Sequence, residues 1–378
     1  MFRPCIALIA DPTSPEGCRD YLADAVEQLT GTPPVRIDSR HFETETTGVT
    51  TVTGVTGATA AAQATGVGGA IAATGATGVA GPGGATGRGV GDGGRLRLHV
   101  PQEGLDFVPD IVVLYEIPPH RRRALAGFQG LLERHDVVTL GTNPDAWRTA
   151  TEKNLTVARF RRDGIAQMET AVLSRPTARE AAEAFERLGG DTWARPVVGT
   201  GGNDTFHVTT HARLEAATVY YAEHGTDWML SRDAGNFTAD GLRHQFRVFV
   251  LGGRVVHARE HLQPAADTPC NTCQGATPVH IAPPDLPPRL AELAVAATAS
   301  VGLPFAGVDL AVENGGVVFE VNVQPAFVDG ELETVAVPYV QAHLDAYHAR
   351  AASGPRAARQ PRLTRPIGTG RRDFTAPA

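Results

Sequence analysis

Three oxygen-bearing side chains near the end of the 378-residue chain could hold a metal ion. Asp309, Glu320 and Asn322 lie in the segment FAGVDLAVENGGVVFEVNVQPAF, which spans residues 305–327. Carboxylate and amide oxygens are the ligands of a hard divalent cation such as Mg²⁺, which usually takes one or two protein carboxylates and completes its shell with water and substrate phosphates. These residue types therefore indicate chemistry on a substrate that carries phosphate.

The spacing of these residues predicts that a β-hairpin brings them together. Two apolar runs flank Asn314 and Gly315, a dipeptide that accepts positive φ at both central positions of a type I′ turn. A register centred on this turn puts Asp309 directly opposite Glu320, and Asn322 projects from the same face. One face of the hairpin is thus expected to present a carboxylate pair.

The other face of the predicted hairpin is expected to be core. In this register Val312 pairs with Val317 beside the turn. The residues expected on the apolar face are Val308, Leu310, Val312, Val317, Phe319, Val321 and Val323.

A bound cation would resolve an electrostatic conflict in this hairpin. Two carboxylates that face each other across a strand pair repel, at a cost of roughly 0.2–1 kcal/mol if nothing bridges them. A divalent ion between Asp309 and Glu320 removes the repulsion, and Asn322 in the sequence E-V-N-V-Q-P adds an amide oxygen. A solvated acidic strand face is the alternative interpretation.

The motif F-A-G-V-D-L, followed by a short turn and E-x-N-x-x-P, resembles the C-terminal metal hairpin of ATP-grasp enzymes. It is most similar to that of RimK-type carboxylate–amine ligases, some of which modify peptides. The resemblance implies an α/β chain (an α+β grasp), with an N-terminal βαβ pre-grasp domain followed by a two-subdomain ATP-grasp fold. It also implies ATP and Mg²⁺ as cofactors, with one or two metal ions and with Mn²⁺ able to substitute.

Composition limits the classes of partner. The net charge of −7 leaves no basic footprint for nucleic acid. Four cysteines are too few for a disulfide framework, and no apolar run approaches the length of a membrane span. We expect a soluble cytoplasmic protein whose partners are small-molecule or peptide carboxylates and amines, without nucleic acid or membrane partners. A homo-oligomer stays open.

Lys153 is the single lysine among 34 basic residues. The arginine bias suggests that a retained lysine has chemistry that arginine cannot copy. Its context T-E-K-N-L-T resembles the family segment in which a lysine reaches an ATP phosphate, and N-x-P at Asn143 resembles the step into the preceding helix. The resemblance thus assigns Lys153 to ATP binding.

A glycine-rich loop follows a predicted strand. The residues Gly199, Thr200, Gly201 and Gly202 would let backbone N–H groups approach phosphate without interference from Cβ atoms, although a glycine-rich hairpin turn would look the same. Just before this loop the family carries a second phosphate lysine, where this chain has Arg195. Arginine keeps the charge but is longer and planar, so the nucleotide geometry at this position differs.

Further site residues are assigned by the resemblance. Ser231 and Arg232 lie in the hinge segment, where family members hold adenine through backbone groups. Arg247 would stabilise charge on the transferring phosphoryl group, with Gln245 in place of the usual acid beside it. Asn271 would face the acyl-phosphate. A further departure is His261, at a position where RimK-type enzymes often carry arginine, and Cys270 to Cys273 has knuckle spacing but no second ligand pair.

Four segments are predicted along the chain. Residues 1–145 form the N-terminal domain, interrupted at about 46–94 by a Thr/Gly/Ala-rich insertion expected to be mostly disordered. Residues 146–228 form the small grasp subdomain, 229–350 the large subdomain with the metal hairpin, and 351–378 a disordered tail.

The implied reaction condenses a carboxylate with an amine through an acyl-phosphate, with release of ADP and phosphate. The N-terminal segments that would contact the acid and the amine match no specific member, so the substrates stay open. Two alternatives are a grasp-fold kinase of small molecules and a nucleotide-binding protein without turnover, the latter motivated by Arg195 and Gln245. The Asp309→Asn and Glu320→Gln variants are expected to lose turnover with the fold intact.

Overall fold

The structure is a computed structural model that describes residues 3–43, 49–52 and 95–352. Most of the predicted insertion at 46–94, and the predicted tail beyond residue 352, lie outside the described residues. Within the described ranges the chain forms four β-sheets flanked by helices. The helices of this part are all too short or too polar to cross a membrane.

The N-terminal elements alternate between strand and helix, as the apolar pattern predicts. In chain order they are β1 (Ile6–Ala10), α1 (Cys18–Thr30), β2 (Val35–Asp38), β3 (Val49–Val52), β4 (Arg95–Val100), β5 (Leu105–Phe107), β6 (Ile111–Leu114), α2 (Pro119–Arg122) and α3 (Ala126–Arg134). The parallel sheet β2-β1-β6 contains the expected βαβ unit. An antiparallel sheet β3-β4-β5 lies beside it in sequence, so residues 49–52 of the predicted insertion form a paired strand.

The middle of the chain builds a small antiparallel sheet covered by helices. Its elements are α4 (Pro144–Thr151), α5 (Lys153–Asp163), β7 (Thr170–Leu173), α6 (Ala178–Arg187), β8 (Thr192–Pro196), β9 (Phe206–Val208), α7 (His211–Glu223) and β10 (Trp228–Arg232). The strand order is β7-β10-β8-β9. The predicted subdomain boundary at residue 228 falls at the start of β10, whereas the small sheet ends after Arg232.

Side chains alternate between the two faces of the small sheet. Along β8, Thr192, Ala194 and Pro196 are buried, and Ala194 belongs to the core formed with α6 and α7. Trp193 and Arg195 point to the other face and are only partly covered. Period-two alternation thus places an aromatic ring and a guanidinium on the side away from the helices.

The C-terminal part builds a larger antiparallel sheet. Its elements are β11 (Arg243–Leu251), β12 (Arg254–Gln263), β13 (Thr277–Ile281), α8 (Pro288–Val301), β14 (Phe305–Ala311), β15 (Val317–Asn322) and α9 (Val337–Ala352). The strand order is β13-β12-β11-β14-β15. Its apolar face packs against α8 through residues such as Val248, Val308 and Leu310. Cross-strand pairs put Arg247, Arg259 and Asp309 together on the opposite face.

The β14–β15 hairpin confirms the predicted pairing of Asp309 with Glu320. Asn314 and Gly315 have the expected positive φ, at 55° and 76°. The predicted pairing of Val312 with Val317 is wrong, because Ala311 pairs with Val317.

A β-bulge restores the predicted register farther from the turn. Leu310 pairs with Val318 while Asp309 pairs with Glu320, so Phe319 is an extra residue on β15. Bulges of this kind redirect side chains next to functional sites. Phe319 was predicted on the core face, yet it lines the cleft described below, and Val312 is 37% exposed. These two members of the predicted apolar face are therefore corrected.

Helix α9 packs on the N-terminal part of the chain. Tyr339, Val340 and Leu344 share a buried cluster with Leu22 and Val26 of α1. Phe305 of the large sheet stacks on Tyr339, with ring centroids 4.4 Å apart. The C-terminal helix therefore joins the first helix to the large sheet.

Candidate active site

A cleft between the small and the large sheet contains every residue that the sequence assigned to the site. Its empty volume, including the part open to solvent, is about 1090 Å³. The predicted residues that line it are Lys153, Arg195, Gly199, Thr200, Gly201, Gly202, Ser231, Arg232, Arg247, Asn271, Asp309, Glu320 and Asn322. The fold thus brings residues that are up to 169 positions apart in the sequence onto the walls of one cavity.

Arg247 and Asp309 form a buried ion pair on the floor of the cleft. They are paired across β11 and β14, and both are 5% exposed. Burial would lower the pKa of Arg247, but the adjacent Asp309 carboxylate raises it. Burial likewise would raise the pKa of Asp309, and the guanidinium lowers it. Both groups are therefore charged, and each neutralises the other.

Lys153 lies against the second carboxylate of the hairpin. Its Nζ is 3.0 Å from Glu320 Oε1 and donates a hydrogen bond of 3.0 Å to Gly199 O. Lys153 is the first residue of α5, and its backbone N–H donates to Val197 O at the end of β8. This second contact fixes the start of the helix beside the glycine-rich loop, so the ammonium group lies between that loop and the hairpin.

The repulsion between Asp309 and Glu320 is relieved by these two cations. Arg247 pairs with Asp309 and Lys153 pairs with Glu320, so the carboxylates can face each other without a metal ion. The repulsion argument made from the sequence therefore does not by itself require a metal.

The donor set nevertheless fits a divalent cation. Glu320 Oε2 and Asn322 Oδ1 make no hydrogen bond within the described residues, while Asn322 Nδ2 donates to Asp309 Oδ2 at 3.1 Å. This leaves one carboxylate oxygen and one amide oxygen available on the same strand. A carboxylate can accept from several partners at once, so Asp309 also keeps capacity beside Arg247. Oxygen donors of this kind suit Mg²⁺.

Arg195 has an unused donor inside the cleft. Its Nη2 donates to Phe319 O at 3.1 Å, and its buried Nε has no hydrogen-bond partner in the described part of the chain. Burial lowers the pKa of Arg195, against the nearby Glu320 and Asp309 carboxylates, which raise it. An orphaned buried donor on a cation is the feature expected of a residue that awaits an anionic ligand.

The glycine-rich loop connects β8 to β9 at the mouth of the cleft. Gly201 and Gly202 have φ of 66° and 73°, a conformation that side chains rarely adopt. The predicted use of glycine at this loop is thereby explained by backbone geometry. The loop carbonyl of Gly199 is already held by Lys153.

The hinge segment is more occupied than the sequence suggested. Ser231 Oγ bonds Thr170 Oγ1 at 2.9 Å, and Arg232 binds Leu188 O and Glu169 with its side chain. The backbone N–H of Arg232 donates to Glu169 O. These donors are satisfied by the fold, so the carbonyls and the following residues of the hinge are the free groups in this strand.

Asn271 and His261 lie on the large-sheet side of the cleft. Asn271 Oδ1 accepts a hydrogen bond from Cys273 N at 2.9 Å and caps a short turn. His261 is fully buried, and burial together with Arg247 and Arg259 lowers its pKa to about 3. It is therefore a neutral side chain and does not replace the positive charge of the arginine found there in RimK-type enzymes.

Several cleft residues were not identified from the sequence. Arg243 is 3% exposed, pairs with Asp233 at 2.8 Å, and stacks on Trp193 and Phe237 at 5.0 and 4.4 Å. Its neighbours come from three separate segments, and no local motif marks them. The further cleft residues without a sequence prediction include Gln167, Met168, Asn236, Val318 and Phe319.

A second group of potential metal ligands lies behind Trp193. Ligand atoms of Asp191, His207 and Asp233 lie within 4.8 Å of one another. Asp233 already accepts hydrogen bonds from Trp193, Arg243 and Gly235, and His207 pairs with Asp191 at 2.7 Å. These contacts explain the cluster as a brace for the Trp193 wall of the cleft.

Comparison with known proteins agrees with this geometry. Residues 167–325 match a family model described as an ATP-grasp domain, family 3 of its clade. The match covers the cleft from Gln167 to Asn322 and begins after Lys153. A search of curated protein sequences finds no match.

Three solved structures show the same fold. The ATP-grasp ligase PsnB complexed with minimal precursor, Mg and ADP has a TM-score of 0.55 and 14% identity, over 92% of this chain and 99% of that one. D-alanine–D-alanine ligase from Bacillus anthracis complexed with ATP has 0.56 and 12%, over 92% and 99%. D-cycloserine synthetase DcsG has 0.56 and 16%, over 90% and 99%.

The fold is therefore that of the ATP-grasp proteins, which confirms the fold that the hairpin motif predicted. The chain belongs to this superfamily, and its residues 167–325 form the part that the family model matches.

Proposed function

We propose that this protein is an ATP-dependent ligase that joins a carboxylate to an amine. A substrate carboxylate oxygen attacks the γ-phosphorus of ATP, so that an acyl-phosphate forms and ADP leaves. The amine nitrogen then attacks the acyl carbon, the new C–N bond forms, and inorganic phosphate departs with the electron pair of the broken C–O bond. The amine proton passes to solvent or to a basic group of the cleft.

The observation that carries this proposal is the arrangement of charges in the cleft. Lys153, Arg195 and Arg247 face Asp309 and Glu320, so cations outnumber carboxylates on the walls. A polyanionic triphosphate suits an excess of positive charge, and the orphaned Arg195 Nε offers it an unused donor. Catalysis of phosphoryl transfer is mainly positioning and charge stabilisation, which such a site supplies.

Each residue has a role in this proposal. Lys153 and Arg195 would hold the phosphates, and the 199–202 loop would cover them and exclude water. Arg247 keeps Nη1 without a hydrogen bond in the described structure, which suits charge developing on the transferred phosphoryl group. Asn271 would bind the acyl-phosphate from the large-sheet side.

The metal assignment follows from the donor set. Asp309, Glu320 and Asn322 would hold Mg²⁺, whose chemistry when bound is to neutralise charge on the phosphate oxygens. The number of ions, the use of Mn²⁺, the RimK-type subfamily, a cytoplasmic location, the predicted domain limits and a homo-oligomer stay predictions.

The solved structures suggest which substrates to test. PsnB is complexed with a precursor peptide, and the other two are an amino-acid ligase and D-cycloserine synthetase. A library should therefore contain both peptides with acidic side chains and free amino acids, each as acid and as amine.

The experiment incubates purified protein with ATP, Mg²⁺ and this library. ADP and free phosphate that depend on the amine support a ligase. Retention of labelled γ-phosphate in the product supports the kinase alternative, and tight nucleotide binding without ADP in any mixture supports the binder. Either of these two results would contradict the proposed ligase.

A further inference from the structure

The two walls of the cleft touch at its mouth through one side chain. Gln274 lies in the loop between β12 and β13 of the large sheet, and its Nε2 donates to Gly201 O at 3.0 Å and to Asn203 Oδ1 at 3.3 Å. Gly201 and Asn203 belong to the glycine-rich loop of the small sheet. Gln274 thus connects the two subdomains on the side opposite to Lys153 and Glu320.

The loop that carries Gln274 is itself anchored to the large sheet. Gln263, which is 3% exposed at the end of β12, donates from Nε2 to Gln274 O at 2.9 Å and to Pro269 O at 3.4 Å. The backbone N–H of Gln274 donates to Asn271 O. Asn271 and Gln274 are therefore held in one turn by one buried glutamine.

The fit between the two loops requires glycine. A Cβ atom on Gly202 would lie 3.0 Å from Pro269 Cβ and 3.1 Å from Gln274 Cγ, and one on Gly201 would lie 3.5 Å from Cys273 Cβ. Contacts of this closeness show that the loops pack against each other along their length. The position of the glycine-rich loop is thus set by the opposite wall as well as by its own strand ends.

We propose that Gln274 is a positioning residue that holds the glycine-rich loop closed and couples its position to Asn271. This inference rests on the proposed function, because the loop is there assigned to the nucleotide and Asn271 to the acyl-phosphate. When the loop is held over the phosphates, Asn271 is in place; when it opens, water reaches the intermediate. Gln274 thereby favours transfer to the amine over hydrolysis.

The contact can be measured without any turnover through Cys273, which is exposed beside Gly201. Alkylation of Cys273 by iodoacetamide, followed by mass spectrometry of its peptide, reports the opening of the junction. Cys270 is buried, and burial raises the pKa of its thiol to about 12, so it reacts slowly. The proteins compared are wild type, Gln274→Ala, Gln274→Glu and the control Gln341→Ala, whose side chain bonds Asp345 on exposed α9.

In the absence of nucleotide we expect Gln274→Ala to alkylate roughly twofold to tenfold faster than wild type, the range for loss of one hydrogen bond. Gln274→Glu keeps the side-chain volume but turns an acceptor toward two acceptors, so it should react at least as fast. Gln341→Ala should match wild type. Equal rates in all four proteins would overturn the proposed contact, whatever the protein does with ATP.

Coupling is tested by the ratio of amide formed to ADP formed. In Gln274→Ala this ratio should fall while the melting temperature stays near that of wild type, because the intermediate is lost to water. An unchanged ratio with faster alkylation would overturn the coupling to Asn271 and leave the contact as packing. Failure of wild type to bind nucleotide would instead contradict the proposed function, and the alkylation rates would still decide the loop contact.

Discussion

The guanidinium of Arg247 grips the carboxylate of Asp309 with two parallel hydrogen bonds, Nε to Oδ1 at 2.7 Å and Nη2 to Oδ2 at 2.8 Å. The pair is nearly inaccessible to solvent, and Asn322 adds a third hydrogen bond to the same carboxylate. A geometry so fully bonded means that Asp309 supports the fold as well as the site.

This pair changes the expectation for Asp309→Asn. Removal of one partner from a buried ion pair leaves an uncompensated charge, which costs about 3–5 kcal/mol. Urea unfolding should therefore show a large loss of stability in Asp309→Asn. Glu320→Gln, at a side chain that is 25% exposed, should lose turnover with little change in stability. Equal stability of the two variants would contradict the structural role of Asp309.

Lys153 offers a test of the site that leaves the core intact. In Lys153→Met the ammonium group is lost from Glu320 and Gly199, and loss of a charge-assisted hydrogen bond reduces affinity by roughly tenfold to a hundredfold. Binding of ATP should weaken by this factor in titration calorimetry. Arg36→Met, which removes an exposed pair with Asp20, is the control and should bind as wild type does. Unchanged affinity in Lys153→Met would exclude this lysine from the phosphate site.

Gly307 gives a prediction about packing behind the metal hairpin. A Cβ atom at this position would lie 2.5 Å from Pro325 Cβ, closer than real Cβ contacts. Gly307→Ala should therefore displace Pro325 and destabilise the protein by roughly 1–3 kcal/mol. Gly127→Ala is the matched control, since the position is helical and has no atom within 4 Å. That variant should gain about 0.5–1 kcal/mol in thermal unfolding.

His244 predicts a pH dependence of stability. It lies between Glu260 and Glu313, with its ring nitrogens 2.6 and 2.9 Å from their carboxylates. Burial would lower its pKa, but the two carboxylates raise it above the ordinary value of 6.5. The stabilisation is therefore fully present below pH 6.5 and is lost as the pH rises through the folded pKa.

The measurement is the free energy of unfolding of wild type and His244→Gln between about pH 6 and about pH 9, an interval that brackets the titration of a histidine with a raised pKa. Wild type should lose stability across this interval relative to the variant. His261 and His343 have lowered pKa values of about 3 and about 4, so they act at more acidic pH and do not interfere. Parallel curves for the two proteins would show that His244 is not charged in the folded state.

Much of the site could be predicted because its residues lie in local motifs. The Asn314-Gly315 turn and period-two alternation placed Asp309 opposite Glu320, and the single lysine lies where the cleft needs one. The agreement at Asp309 concealed two opposite errors, since a longer loop shifts the register by one residue and the bulge at Phe319 shifts it back. A bulge leaves no mark in an apolar run, so it could not be predicted.

Other parts of the site depend on long-range contacts that no sequence pattern encodes. The Arg243 stack joins Trp193 and Phe237 from different segments. Gln274 meets the glycine-rich loop 73 positions earlier in the chain. The pairing of Arg247 with Asp309, and so the alternative to a metal for relieving repulsion in the hairpin, also follows from sheet order rather than spacing.

The position of α9 has a consequence for how the protein is made. The apolar side of α1 is completed by Tyr339, Val340 and Leu344, which are synthesised more than three hundred residues later than this helix. During translation the first helix must therefore wait with an uncovered greasy stripe while the grasp elements emerge. The earliest segment of the chain would then be among the last to reach its native packing, and it would depend on chaperones until residues 337–352 arrive.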